Sequence, residues 1–222
     1  MPRPDRVVIP GLPHHLNHRG NRCQDIFRES EDREIYQRLL RKHAKENGVQ
    51  INSYTLMSNH VHLVVVPEHE ESLSAMIQEA HGPYATIFNG RYGLTGHLWE
   101  GRFFSCVLDP SHFWKATRYV ERNPVRAGLV RMSENYRWSS AAAHCGLRID
   151  GLLSSHRPLE GLIEDWSTWL ARGNPQGVDE YIRQQTFSGH ACGSADYFHG
   201  LEQTLGIQIL PRKRGRPRKM GS

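Results

Sequence analysis

The sequence predicts an α+β fold. Residues 49–57 and 60–66 are two β-branched-rich runs separated by Ser58-Asn59, the pattern of a hairpin. Residues 30–48 carry Ile35, Tyr36, Leu39, Leu40 and His43 at helical spacing, and a further helical pattern opens at Pro110. With 222 residues the chain suits one main domain and an appendage.

The elements follow in order. Residues 14–18 read as a first strand, closed by the turn-like Arg19-Gly20-Asn21. Ser30 is the expected N-cap of the first helix, with Glu31 and Asp32 in its first turn and Gly48 as its stop. In the second hairpin strand side chains alternate between faces, so His60, His62 and Val64 share one face while Val61, Leu63 and Val65 face the core. Residues 72–88 are helical but contain Gly82-Pro83, which predicts a kink or two helices. Residues 90–101 read as a loop rich in glycine and aromatics, and 102–108 as a strand. The helix opened by Pro110 and Ser111 must end at Pro124. Beyond Cys145, residues 159–170, 178–185 and 195–205 look helical, and the final stretch from Pro211 has almost nothing apolar to fold around, so disorder is expected there.

Charge is distributed unevenly. Residues 1–145 hold 18 Lys and Arg against 15 Asp and Glu, residues 146–210 hold 4 against 8, and the last twelve hold 6 against none. The basic pI of about 9.2 therefore owes most to a short tail that would track phosphates, making nucleic acid the leading partner class. No apolar run is long enough to span a bilayer, which excludes a membrane partner, and no secretory leader is seen; a cytoplasmic, nucleoid-associated protein is expected. Cys23, Cys106, Cys145 and Cys192 form no C-x-x-C pair, so they read as reduced thiols.

Two patterns carry chemistry. His60 and His62, two apart on a strand, can reach one ion; partly exposed histidines with no ion fit the same spacing. A histidine-triad hydrolase would need a histidine where Val64 stands, and a two-motif phosphoesterase would need a second such motif, which is missing. On the helix from Pro110, Phe113, Ala116, Thr117 and Val120 form an apolar stripe, with Tyr119 and Asn123 stacked along its flank. Tyr119 reads either as a core-edge tyrosine or as a nucleophile for a phosphodiester. A phenol is protonated at neutral pH, so attack needs a base or polarisation by a metal. Lys115, one turn earlier, could stabilise the charge that develops, or be a solvated lysine.

Arg19-Gly20-Asn21, Leu56-Met57-Ser58-Asn59-His60-Val61-His62-Leu63, Gly96-His97-Leu98-Trp99-Glu100-Gly101-Arg102-Phe103, and the run from Tyr119 through Asn123-Pro124 to Leu129 together resemble REP-associated tyrosine transposases. These are a branch of the single-tyrosine transposases with a His-hydrophobic-His motif. The resemblance covers residues 1–145. It implies a ferredoxin-like antiparallel sheet with packed helices, Mg²⁺ or Mn²⁺ on His60 and His62, and Tyr119 as the nucleophile. Asn123 stands where related transposases place a metal-assisting glutamine. The implied substrate is single-stranded or hairpin DNA of the REP type, cleaved and rejoined through a 5′-phosphotyrosine. Arg19, Asn21 and Arg102 are the expected DNA contacts within this domain. The enzyme would act as a monomer or a homodimer.

Residues 146–210 are then a helical extension, and 211–222 a basic tail. Arg212, Lys213, Arg214, Gly215, Arg216, Pro217, Arg218 and Lys219 resemble an AT-hook, whose Gly-Arg-Pro core lies in a narrow A·T minor groove. The competing reading is a non-catalytic DNA-binding protein that uses this tail and keeps a relic active site.

Overall fold

A computed structural model describes residues 7–154 and 163–211. Strand β1 (His14–Arg19), helix α1 (Ser30–Glu46), strands β2 (Val49–Leu56) and β3 (His60–Pro67), helix α2 (Ser72–Tyr92) and strand β4 (Phe104–Val107) succeed one another. Their order is β-α-β-β-α-β, and the four strands form one antiparallel sheet in the order β2-β3-β1-β4. This is the expected ferredoxin-like arrangement. Helices α3 (Pro110–Glu121), α4 (Asn123–Arg126), α5 (Ala141–His144), α6 (Trp166–Arg172), α7 (Val178–Ser188) and α8 (Ala195–Leu205) follow.

The sheet is buried on both faces. On one, Leu16, Val61, Leu63 and Val65 meet Tyr36 and Leu40 of α1 and Met76, Ile77 and Tyr84 of α2. On the other, Val64 and Cys106 meet Phe113, Ala116 and Val120 of α3, together with Trp166, Leu170 and Ile182. Each Leu or Val buried in this way contributes about 1.5–3 kcal/mol. The second core matters for the site, because the face carrying His60 and His62 lies under a helix instead of open to water.

Local differences from the sequence expectation have physical causes. Ser30 is the first helical residue, and the N-cap is Glu29; the N–H groups of Arg28 and Glu29 both donate to Asp32 Oδ2 at 2.9 Å. Helix α2 runs unbroken through Pro83 and on to Tyr92, where Gly93 in the left-handed region (φ 62°) stops it. Proline removes one i→i−4 bond, but the buried row Met76, Ala80, Tyr84 and Phe88 holds the turns on either side. Strand β4 is shorter than expected, since Arg102 and Phe103 lie outside it and Leu108 instead bridges Cys192. Pro124 ends one helix and begins another: α3 stops at Glu121, and Pro124 sits in the first turn of α4, where a missing N–H costs nothing. Tyr119 and Asn123 therefore belong to two helices.

Later segments seal both sheet edges. Leu56 N–H donates to Trp138 O at 2.8 Å and Ser140 N–H to Tyr54 O at 3.0 Å along β2; Cys192 N–H donates to Val107 O at 2.8 Å along β4. Helix α7 packs on β4 and α3, while Phe198 of α8 joins Ile9, Val107, Ala191 and Ile209 in a third small core. The helix expected over 159–170 begins at Trp166 among the described residues, and residues 155–162 lie outside them. The expected disordered tail, 212–222, also lies outside the described residues.

Candidate active site

Strand pairing assembles the first half of the site. Arg19 stands opposite His60, Asn17 opposite His62 and His15 opposite Val64, so three polar β1 residues share a face with the histidine pair. Helix α3 crosses that face. Its start is fixed by Asp109, which accepts from the His112 N–H at 2.6 Å, and Thr55 of β2 donates its hydroxyl to Val120 O at 2.8 Å. This docking sets Tyr119, only 4% exposed, against the sheet.

The rings then converge. Those of His60 and His62 are 4.9 Å apart between centroids, and Tyr119 lies 5.5 Å from His62 in an edge-on contact. The His15 ring lies edge to edge with His62, centroids 5.1 Å apart and planes within 11° of parallel, and meets Tyr119 edge-on at 5.5 Å. His15 Nε2 lies 3.0 Å from His62 Nδ1. The amide nitrogen of Asn17 lies 3.2 and 3.3 Å from the two ring nitrogens of His62 and donates to Val61 O. His60 Nδ1 donates to the amide oxygen of Asn59 at 2.6 Å, leaving its Nε2 lone pair bare.

The electrostatics keep both imidazoles neutral. Burial first, and then the charges of Arg126 and Arg19, pull His60 down to about 4. Burial, reinforced by His60, His15 and Arg126, holds His62 well below the usual histidine range. Neutral imidazole is the form that ligates metal. Arg126 lies over the Tyr119 ring, 4.0 Å from its centroid, and the phenol is within electrostatic reach of Arg183.

Asn123 is buried at the junction of α3 and α4 with its amide nitrogen, a hydrogen-bond donor, unpartnered. Two neutral imidazoles on one face fit a divalent cation, with the remaining positions left to oxygen ligands such as phosphate or water. Among the described residues, the set of three His, Cys, Asp or Glu that could hold an ion is His43, Glu46 and Glu79, on the outer surface of α1 and α2.

Of the remaining predicted residues, Arg19 stands beside His60 and the others are dispersed. Arg19 pairs with Glu100, one contact being Nη2 to Oε1 at 3.0 Å. Asn21 lines a separate cavity with His97 and Trp99. Arg102 is exposed beside β4. Lys115 exerts its charge on Cys192, and its backbone carbonyl accepts from Asn174 at 2.9 Å. Positions 212–219 lie outside the described residues.

Sequence reasoning missed His15, Asn17, Arg126 and Arg183. The alternation along β1 places residues 15, 17 and 19 on one face, which was a usable signal; that this face adjoins His60 and His62 is set by strand register, which no local pattern states. Arg126 and Arg183 come from separate helices and carry no joint spacing.

Fold and site together define a class: a ferredoxin-like α+β protein whose sheet offers a neutral histidine pair to a helix-borne tyrosine. The chain belongs to the IS200-like transposase family, whose family model matches residues 12–123, half of the chain, from before β1 to Asn123. Among solved structures it is similar to a REP-associated tyrosine transposase bound to a REP hairpin, with a TM-score of 0.55 and 19% identity over 70% of this chain and 92% of that one. A proposed transposase from Deinococcus radiodurans R1 is 18% identical over 54% of this chain and 96% of that one; its TM-score of 0.38 is too slight a likeness to bear on the fold. No curated protein matches the chain. Among the described residues no helix is long and apolar enough to cross a membrane.

Proposed function

We propose that this transposase cleaves and rejoins single-stranded or hairpin DNA through a covalent bond to Tyr119, in a catalytic domain spanning residues 1–145. One observation carries the reading: the Tyr119 ring lies 5.5 Å from His62, which lies 4.9 Å from His60, so a phenol and two neutral imidazoles can meet one phosphate. The fold is shared with a transposase bound to a REP hairpin, which supports a palindromic strand as substrate.

His60, His62 and the side-chain oxygen of Asn123 would hold a divalent cation, Mg²⁺ or Mn²⁺, which would supply withdrawal of charge from the scissile phosphate. Tyr119 loses its proton to solvent and its oxygen forms the new bond to phosphorus. The bond from phosphorus to the 3′-oxygen breaks, and that oxygen leaves as a 3′-hydroxyl after taking a proton. Arg126, stacked on the Tyr119 ring, and Arg183 offset the negative charge that develops. The phosphotyrosine conserves one phosphodiester bond, so a second 3′-hydroxyl can reseal the strand by the reverse displacement, without ATP. The basic residues from Arg212 to Lys219 would hold A·T-rich duplex nearby.

The test is incubation of the protein with labelled hairpin DNA and Mn²⁺, followed by denaturing electrophoresis. Wild type should yield a labelled protein band; Tyr119→Phe should lose the band while still binding DNA. Persistence of the band in Tyr119→Phe would remove Tyr119 from the chemistry. Equal inactivity of both proteins, with binding intact, would favour a DNA-binding protein with a relic site.

A further inference from the structure

A chain of buried polar contacts runs from the C-terminal helices into the histidine pair. Thr186 of α7 is 1% exposed and His15 of β1 is 1% exposed. The Thr186 hydroxyl donates to Ile182 O at 2.7 Å, one turn back on its own helix. That carbonyl can only accept, and a hydroxyl has one proton, so Thr186 Oγ1 meets its other neighbours as an acceptor. Those neighbours are His15 Nδ1 at 2.7 Å and Cys106 Sγ at 3.3 Å. His15 must therefore carry its proton on Nδ1. In the neutral ring Nε2 is then a bare acceptor, and the group facing it at 3.0 Å is His62 Nδ1. His62 is thus protonated on Nδ1, and its lone pair lies on Nε2.

Asn17 does not interrupt this chain. An amide nitrogen almost equidistant from both ring nitrogens cannot lie in the ring plane without colliding with Cε1 between them. It lies over the ring face instead, and the in-plane Nε2 lone pair stays open. His60, whose Nδ1 donates to Asn59, is fixed in the same tautomer by an independent contact.

We propose that Thr186, acting through His15, is a positioning residue that holds His62 in the tautomer able to bind a divalent cation, which makes helix α7 an integral part of the metal site. Ordinary packing of α7 on β4 calls for an apolar residue at this place; Cys106, Ile182 and Cys192 around it are all buried. A hydroxyl here has a partner for every hydrogen-bonding role, and the last link of the chain is a histidine of the proposed site. This inference rests on the metal reading above and adds to it a residue that lies 171 positions from His15.

The experiment uses the full chain and Mn²⁺ alone as the probe, with affinity read by isothermal titration calorimetry and the His62 tautomer by ¹⁵N NMR of the metal-free wild type. The His62 signals are assigned by their loss in His62→Gln. Thr186→Val should weaken Mn²⁺ binding about 10- to 100-fold, as loss of outer-shell partners does. Thr186→Ser, which restores the hydroxyl, should return to near the wild-type affinity. A role in packing alone predicts the reverse ranking, since valine keeps the volume and serine does not. Unchanged Mn²⁺ affinity in Thr186→Val overturns the proposal, and so does a wild-type His62 protonated on Nε2; the latter decides the matter even if Thr186→Val fails to fold. Undiminished Mn²⁺ affinity in His62→Gln has a different meaning, because it removes the metal reading and takes this inference with it.

Discussion

The Arg126 guanidinium lies 4.0 Å from the centre of the Tyr119 ring while its Nη1 pairs with Asp179 Oδ2 at 2.9 Å. Asp179 is in the first turn of α7 and Arg126 closes α4, so an ion pair between helices holds a cation over the phenol. The same charge helps to keep His60 and His62 neutral.

Removing that cation should therefore slow chemistry more than it weakens folding. Arg126→Met is expected to reduce the rate of covalent adduct formation by about 10²-fold, the scale of one lost electrostatic stabiliser. The stability loss should stay near 1 kcal/mol, because exposed cation–π contacts and half-exposed ion pairs are worth little. Arg126→Lys should fall between the two, keeping the charge without the planar stack. Single-turnover adduct formation beside thermal unfolding measures both, and an unaltered adduct rate in Arg126→Met would leave the stack without a catalytic role.

Acid should unfold the protein early. The pKa of His60 and of His14 is depressed by burial to about 4, and burial also holds His62 and His81 well below the usual range. A histidine whose folded pKa lies below its unfolded value stays neutral in the native state while the unfolded chain takes up a proton. Stability is then greatest above about pH 6.5 and falls as pH drops toward 4, by about 1.4 kcal/mol per pH unit for each such group. Thermal unfolding from pH 8 to pH 4.5 should show Tm level above 7 and descending below 6.5. A Tm that holds steady to pH 4.5 would mean that these rings accept protons without cost.

Much of this was legible because it is local. The β3 alternation put His60 and His62 on one face, and Pro110 and Pro124 bracketed the helix that carries Tyr119. Alternation could not say that this face is buried: burial there depends on α3, α6 and α7 returning over a sheet that β1 to β4 complete. The same limit hid His15, whose partners are 47 and 171 residues away. At Pro83 the local rule predicted a kink or two helices, and the buried row on α2 keeps it one helix.

The tail should make a separable contribution to DNA affinity. Deleting residues 212–222 removes six cations, so binding to A·T-rich duplex should weaken and the slope of log affinity against log salt should become shallower. Adduct formation on a single-stranded hairpin should change much less. Fluorescence anisotropy over a salt series, with G·C-rich duplex as comparison, reads the difference. Equal affinity of the intact chain for both duplexes would reduce the AT-hook likeness to a generic basic segment.

Glu121 ties the C-terminal helices to the end of the tyrosine-bearing helix. It is fully buried; Trp166 Nε1 donates to its Oε2 at 2.8 Å, while Ser140 Oγ donates to Oε1 at 2.5 Å and His144 Nδ1 lies 2.5 Å from that oxygen. Ser140 also holds the Tyr54 backbone of β2, so one side chain joins α3, α6 and the sheet edge. Trp166→Phe would preserve most of the ring packing and leave Oε2 without a donor, at a cost of about 1–3 kcal/mol. In a chain of this length that lowers Tm by about 2–4 °C for each kcal/mol. Glu121→Gln should cost a similar amount, because its amide can present a donor to the Trp166 N–H where an acceptor is needed. Since both changes damage one network, the double variant should be less destabilised than the two losses added together, by about 1 kcal/mol or more. Chemical denaturation of the four proteins closes the cycle, and strict additivity would mean that Trp166 and Glu121 act independently and that the link between extension and helix is packing alone.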